Sequence, residues 1–330
     1  TYQSLFISTY FIKMRKTRLL HNLSKLGFGK NDAGLASKAM KYIVNVNTGE
    51  IIEDIDNYEN NNNENKFIKL SSSPGTFSIT PASKISSIAV ASSDKVHGNI
   101  IDWGCGGGLL SILAAAKELN NKIIGLDYDE ENIKQSIENA RLNNNNNNVQ
   151  FIKSDSFSPF DPKENEYINS LKGTIDCIIA NPPASSNDDG FSYRRRIMKE
   201  SIPFLKNGST LLLQALSYYG ENRFIEGARE ASSSLSFYDD ETFTEIEGEY
   251  VYNGVIASSP WVNLQGGYDL KQQLEQYVDE ESKLNGKSYV CGPDNLTATE
   301  IYDQWISTNI IPQCKWQVHE LVWNKKKMDY

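Results

Sequence analysis

Cysteine and histidine are scarce in this 330-residue chain, with four of the first (Cys105, Cys177, Cys291, Cys314) and three of the second (His21, His97, His319). No CxxC pair and no dense spacing occurs, so disulfide frameworks and zinc ribbons are disfavoured and reduced thiols in an intracellular protein are expected. The histidines lie too far apart in sequence to suggest a metal site. No Ser-His-Asp motif context surrounds them either, which argues against a serine hydrolase. No apolar run approaches the roughly 20 residues of a membrane span, and no signal peptide with a clean apolar segment is visible. Glycine (22) and proline (10) occur in ordinary numbers, excluding collagen-like and wholly disordered chains.

Acid is missing from one stretch only. Residues 1–31 carry six bases (Lys13, Arg15, Lys16, Arg18, Lys25, Lys30) and no Asp or Glu. The whole chain sums to 33 bases against 42 acids, a net of −9, so the remainder carries 27 bases against the same 42 acids, a net of −15. Such an acidic body is unfavourable for nucleic acid. The basic leader has the composition of an organelle transit peptide; without that function the expected location is cytoplasmic, and with it mitochondrial. Apolar residues at 39% and aromatics at 11% are enough for a substantial core.

Two asparagine tracts, Asn60–Asn63 and Asn143–Asn148, read as surface insertions, because asparagine forms neither helix nor strand well. The first separates an N-terminal extension (1–66) from a core (67–256), followed by a C-terminal elaboration (257–330) with a last sheet strand. Within the core, apolar runs at 99–103 (NIIDW), 122–127 (KIIGLD), 149–155 (VQFIKSD), 174–181 (TIDCIIAN) and 208–215 (GSTLLLQA) read as strands. Helical patterns separate most of them: 109–119, 130–142 (with Ile133, Ile137, Ala140 and Arg141 at helical spacing) and 194–205. Late strands are expected at 245–255 and 315–323, with helices at 268–283 and 297–307. Strands alternating with helices of this length imply an α/β fold, a doubly wound parallel sheet with ligands at the carboxyl ends of its strands.

Those ends carry the candidate chemistry. Asp102-Trp103-Gly104-Cys105-Gly106-Gly107-Gly108 runs from a strand into a helix, so backbone can approach a ligand closely. A dinucleotide fingerprint would need glycine where Leu109 stands, and Asp102 would repel a phosphate; the pattern suits a zwitterion with an ammonium group. Asp127, at the end of the second strand, can accept from a ribose diol, or cap the following helix, as can Asp129. Asp155, followed by Ser156, can receive an exocyclic amine or be a loop acid. Asn181-Pro182-Pro183 ends the fourth strand; its prolines stiffen the chain, and its carbonyls with the Asn181 amide form an acceptor set for an NH₂ group. A plain strand-ending turn is the alternative.

In order and spacing, Asp102–Gly108, Asp127, Asp155 and Asn181–Pro183 resemble class I S-adenosylmethionine-dependent methyltransferases over about residues 75–220. Together with PGTFS (Pro74–Ser78), they look most like the small-domain branch, which includes ribosomal guanine-N2 and protein-glutamine methyltransferases. The resemblance implies a Rossmann-like, mostly parallel seven-stranded sheet and S-adenosyl-L-methionine as cofactor. It implies cofactor binding by Asp102, Gly104, Cys105, Gly106, Gly108, Asp127, Tyr128, Asp155 and Ser156, with the glycine loop at the methionine part, Asp127 at the ribose hydroxyls and Asp155 at the adenine amine. Asn181, Pro182 and Pro183 would hold the acceptor nitrogen, which attacks the sulfonium methyl in line. The family's aromatic after NPP is replaced by Ala184, leaving Phe191 or Tyr193 to supply a ring. Asp188 and Asp189 could take up a proton, bind a cationic substrate or simply be surface acids of a loop, and Arg194–Arg196 could meet a substrate phosphate or carboxylate, or form a solvated helix face. RNA or protein is the implied acceptor; a small metabolite and a catalytically silent scaffold are the alternatives.

Overall fold

The computed structural model describes residues 39–53, 66–76, 79–144, 147–183, 190–233, 247–263, 278, 290–291, 296–310 and 312–326. The basic leader, the first asparagine tract, Ala184, Asp188, Asp189 and, apart from Val278, the helix expected at 268–283 lie outside the described residues.

Three strands, β1 (Met40–Asn45), β2 (Ile51–Glu53) and β3 (Phe67–Ser72), form a small antiparallel sheet in the order β2-β1-β3, joining chain from both sides of the first asparagine tract. The core then alternates: α1 (Pro81–Ser92), β4 (Asn99–Trp103), α2 (Leu109–Lys117), β5 (Lys122–Asp127), α3 (Glu130–Leu142), β6 (Val149–Asp155), a two-residue β7 (Ser158–Pro159), α4 (Pro162–Ser170), β8 (Ile175–Ala180), α5 (Ser192–Ser201), β9 (Leu205–Leu216), α6 (Glu221–Ser233) and β10 (Gly248–Ser258). Two short ladders follow, β11 (Val262–Asn263) with β14 (Gln313–Cys314) and β12 (Val290–Cys291) with β13 (Leu296–Thr297). Helix α7 (Ala298–Thr308) precedes the last strand, β15 (Trp316–Lys325).

The main sheet has the order β10-β15-β9-β8-β4-β5-β6-β7. Strands β9, β8, β4, β5 and β6 are mutually parallel, and β15 is antiparallel between β9 and β10. The count is eight rather than the expected seven, because β7 adds a two-residue ladder to β6 at the edge. Along each central strand alternate residues enter opposite cores. Ile100, Ile123, Cys177 and Ile179 pack towards α1, α2 and α3, whereas Ile101, Ile124, Ile178 and Ala180 pack towards α4, α5 and α6. Among the described residues no helix is long and apolar enough to cross a membrane.

Two helices were not evident from periodicity. Helix α4 buries only Ile168, and α6 packs through Phe224, Gly227, Ala228 and Ala231, mostly small residues that make a weak stripe. Helix α3 faces inward differently from the apolar pattern. Ile137 and Arg141 are exposed, and Gln135, Ser136 and Asn139 are buried beside Ile133 and Ala140. The polar face is satisfied by backbone: Asn139 accepts from Ser71 N (2.9 Å) and donates to the carbonyls of Ser71 (2.9 Å) and Gly107 (2.8 Å). Asn143 likewise accepts from Lys69 N (2.8 Å) and donates to Lys69 O (2.6 Å), and Gln135 accepts from Ser73 N (3.0 Å). Side-chain amides one helical turn apart thus pair with the edge of β3 as another strand would.

Candidate functional site

Strand β4 ends at Trp103, and the glycine loop turns back under the end of β5. The amides of Gly104 and Cys105 both donate to Leu126 O (2.8 and 2.9 Å), and Gly106 N donates to the Asp127 carboxylate (2.8 Å). Gly104, Gly106 and Gly108 all have positive φ. Two of them illustrate different demands. A Cβ on Gly104 (φ +69°) would meet nothing within 4 Å, so open space lies beside that backbone. A Cβ on Gly108 (φ +84°) would lie 3.0 Å from both Phe151 and Ser136, so α3 and β6 crowd a side chain there and the left-handed backbone strains it. Gly108 directly precedes α2 and offers it no side-chain cap, and in the first turn of that helix the Ser111 amide donates to Asp102.

Asp102 is 1% exposed, and its carboxylate accepts from Ser111 Oγ at 2.6 Å. Burial pushes its pKa up to about 7, with the nearby Asp127 charge adding a smaller push. Cys105 is buried against Gly125, and burial drives its thiol well above the ordinary range. Asp127 is half-buried at the end of β5, and burial raises its pKa too. Its oxygens accept from Gly106 N (2.8 Å), Asp129 N (2.8 Å) and Asn132 Nδ2 (3.2 Å). The cap of α3 is Asp129, which accepts from Glu131 N at 2.9 Å.

Tyr128 is 67% exposed and meets Phe160 edge-on with ring centroids 5.5 Å apart. Asp155, at the end of β6, is ion-paired with Arg196 (2.8 Å), which also reaches Glu200 (2.7 Å). Ser156 is buried, in the left-handed region (φ 57°), and its hydroxyl accepts from the Trp103 indole at 2.8 Å. That hydroxyl braces β4 against β6.

Asn181, Pro182 and Pro183 leave the end of β8, immediately beside β4. The Asn181 amide donates to Ser83 Oγ (3.4 Å) in the first turn of α1, whose capping box joins Thr80 and Ser83. Its side-chain carbonyl has no partner among the described residues. Of the three arginines that follow, Arg194 is 3% exposed and donates to Pro182 O, Pro183 O, Gly190 O and Gln214. Neither a solvated face nor a substrate anion site describes it. The signal was available: Arg194, Ile197, Met198 and Ser201 are the buried face of α5 at i, i+3, i+4 and i+7. Phe191 is likewise fully buried, tilted against Tyr219 and edge-on to Phe224, so it offers no ring to a substrate. Tyr193 is half-buried, 6.2 Å from Trp103. His319 lies within β15, stacked on Phe224, and burial lowers its pKa to about 3, so it is neutral.

The glycine loop, the carboxylate of β5 and the proline pair of β8 therefore meet at the carboxyl edge of three adjacent strands, in a Rossmann-like methyltransferase fold. The family model of the methyltransferase small domain matches residues 67–232, half of the chain, and the chain belongs to that family. Its curated relatives include a release factor glutamine methyltransferase of Fusobacterium nucleatum, 37% identical over 202 residues (57% of this chain, 52% of the relative). Another is ribosomal RNA small subunit methyltransferase C of Aliivibrio fischeri, 29% identical over 168 residues (50% and 45%). The chain spans about half the length of these two relatives. Among solved structures, the ribosomal protein L11 methylase of Lactobacillus delbrueckii subsp. bulgaricus is 15% identical, with a TM-score of 0.46, covering 65% of this chain and 92% of that one.

Proposed function

We propose that the chain is an S-adenosylmethionine-dependent methyltransferase acting on an amide or amino nitrogen, with a protein glutamine side chain as the favoured acceptor. The observation that carries this reading is the strand adjacency β8-β4-β5, which brings Asn181-Pro182-Pro183, the Gly104–Gly108 loop and Asp127 to one edge of the sheet. The residues fit the cofactor: Gly104 leaves open space beside its backbone, and the buried Asp102 lacks a cationic partner among the described residues. When bound, S-adenosylmethionine would supply an electrophilic methyl group.

The chain's own residues bind and orient. Asp102 offers a negative charge to the ammonium end, and Asp127 accepts from the ribose hydroxyls with lone pairs its three backbone and side-chain donors leave over. Tyr128 and Asp155 flank the adenine end; Asp155 must release or share Arg196 to take an exocyclic amine. At the acceptor end, Asn181 Oδ1 and the Pro182 carbonyl hold the N–H groups, which turns the nitrogen lone pair toward the methyl donor. A weakly basic amide needs that orientation most, because its lone pair is otherwise delocalised.

Protein is favoured over RNA by charge. An RNA substrate would have to be held by the basic leader, which lies outside the described residues, and by Arg194–Arg196 beside the site, where Arg194 is buried and Arg196 is committed to Asp155 and Glu200. The relatives named as glutamine methyltransferases support the same choice. The test incubates the full chain with tritiated S-adenosylmethionine and either a pool of glutamine-containing peptides or ribosomal RNA, with calorimetry for cofactor binding. Label in the peptides, lost in Asn181→Ala, is expected. Absence of cofactor binding sinks the enzyme reading, and label in RNA alone overturns the protein acceptor.

A further inference from the structure

The buried cation of Arg194 is held without a carboxylate among the described residues. The Arg194 guanidinium has five N–H donors, and the described structure gives each an acceptor: Nε to Gln214 O (2.9 Å), one terminal nitrogen to Pro183 O (3.2 Å) and Gly190 O (3.5 Å), the other to Pro182 O (3.1 Å) and Gln214 Oε1 (3.4 Å). No salt bridge joins it among the described residues, and the Tyr219 ring lies 5.0 Å from its centre. Burying a charge among neutral dipoles is expensive, so a residue kept there must be compensated by good geometry on every donor.

Those acceptors are unusual in what they join. Pro182 and Pro183 have no N–H, so neither can enter a backbone ladder as donor. Their carbonyls point to a side chain instead. The same guanidinium holds Gly190, where the chain returns after residues 184–189, and Gln214 of β9, the strand beside β8. One planar fork thus fixes the two carbonyls that follow Asn181 to the neighbouring strand.

The geometry points to Arg194 as the positioning residue of the acceptor motif: its fork sets the direction of the Pro182 carbonyl, and so the pose of the nitrogen held by Asn181 and Pro182. This deepens the methyltransferase reading and rests on it. Arg194 does not touch substrate in this scheme; it acts through Pro182. Lysine cannot replace it, since three donors on one flexible point cannot span acceptors on three chain segments.

The test compares the wild-type full chain with Arg194→Lys, Arg194→Ala and Gln214→Met, using the peptide pool or the RNA, whichever the wild type labels. Cofactor affinity is read by calorimetry, and kcat and KM for the acceptor by tritium transfer. Arg194→Lys is expected to lower kcat about 100-fold, the effect of a misplacement near 1 Å, with cofactor affinity within twofold. Added guanidinium ion should restore part of the activity of Arg194→Ala and none to Arg194→Lys. Gln214→Met removes one acceptor of the fork while its own Nε2 has no partner to lose, and should cost about fivefold in kcat, one hydrogen bond's worth. Wild-type kcat in Arg194→Lys overturns the inference. Should both Arg194 variants fail to fold, wild-type kcat in Gln214→Met overturns it. A wild-type chain that binds no S-adenosylmethionine removes the underlying reading and this inference with it, an outcome distinct from either variant result.

Discussion

Asp102 concentrates the electrostatic demands of the site. Its carboxyl is fully buried, bonded to Ser111, and pushed up to about 7 by desolvation. Because this native value lies above the ordinary one of 3.8, the folded chain holds more protons than the unfolded chain between about pH 4 and pH 7. Stability therefore falls as pH rises through that window, by at most about 4 kcal/mol, and the loss is complete above it. Asp102→Asn should raise the melting temperature more at pH 8 than at pH 5 while weakening cofactor binding. An equal shift at both pH values would show that the carboxyl does not titrate there. The native group favours a cation only when ionised, so cofactor affinity should tighten from pH 6 to pH 7.5 in calorimetry. Gly108 is a second single-residue constraint. Alanine there combines φ +84° with 3.0 Å approaches to Phe151 and Ser136, and should cost about 2 kcal/mol in denaturant unfolding. Gly104→Ala, which meets no atom within 4 Å, should cost less stability and more cofactor affinity.

At the scale of elements, α3 is the unexpected one. Its amides from Gln135, Asn139 and Asn143 cover the β3 edge, and Asn139 also holds the carbonyl of Gly107 in the glycine loop. The helix therefore ties the small N-terminal sheet to the glycine loop. Asn139→Leu leaves Ser71 and Gly107 backbone groups without these partners, at about 1–3 kcal/mol. Limited proteolysis should then cut within residues 40–72 faster than in the wild type; an unchanged cleavage rate would mean the amides do not hold that sheet. The ladder was hidden in the sequence because a helix face of Asn and Gln looks like a solvent face. Only a neighbouring strand edge with unpaired backbone makes it an interior one. Helix α5 teaches the opposite lesson: the i, i+3, i+4, i+7 spacing of Arg194, Ile197, Met198 and Ser201 did mark its buried side. Within that run of three arginines, position on the helix rather than charge decides which one is buried.

At the scale of the whole molecule, the C-terminal strand completes the sheet. β15 lies antiparallel between β9 and β10, and its Leu321 and Trp323 are fully buried. Ending the chain at residue 312 removes the ladder partner of β10 and uncovers an edge of β9. Such a truncation should abolish cooperative thermal unfolding followed by circular dichroism, although it leaves the 67–232 family region intact. A retained sharp transition would show that the region folds without β15.

The strand and helix alternation, the glycine loop and the acids at strand ends were legible in the sequence alone. Each depends on spacing of two or 3.6 residues, or on a turn that only glycine allows, and these are properties of neighbours along the chain. Scarce, scattered cysteine and histidine disfavoured disulfide and metal frameworks on the same local grounds. The tertiary structure decided what lies beside what: β8 next to β4, β15 inserted against the chain order, Arg196 turned to Asp155, Arg194 turned inward to two proline carbonyls. Such choices rest on hydrogen bonds and burial between segments far apart in sequence. The periodicity of one segment carries no record of the backbone groups another leaves unpaired.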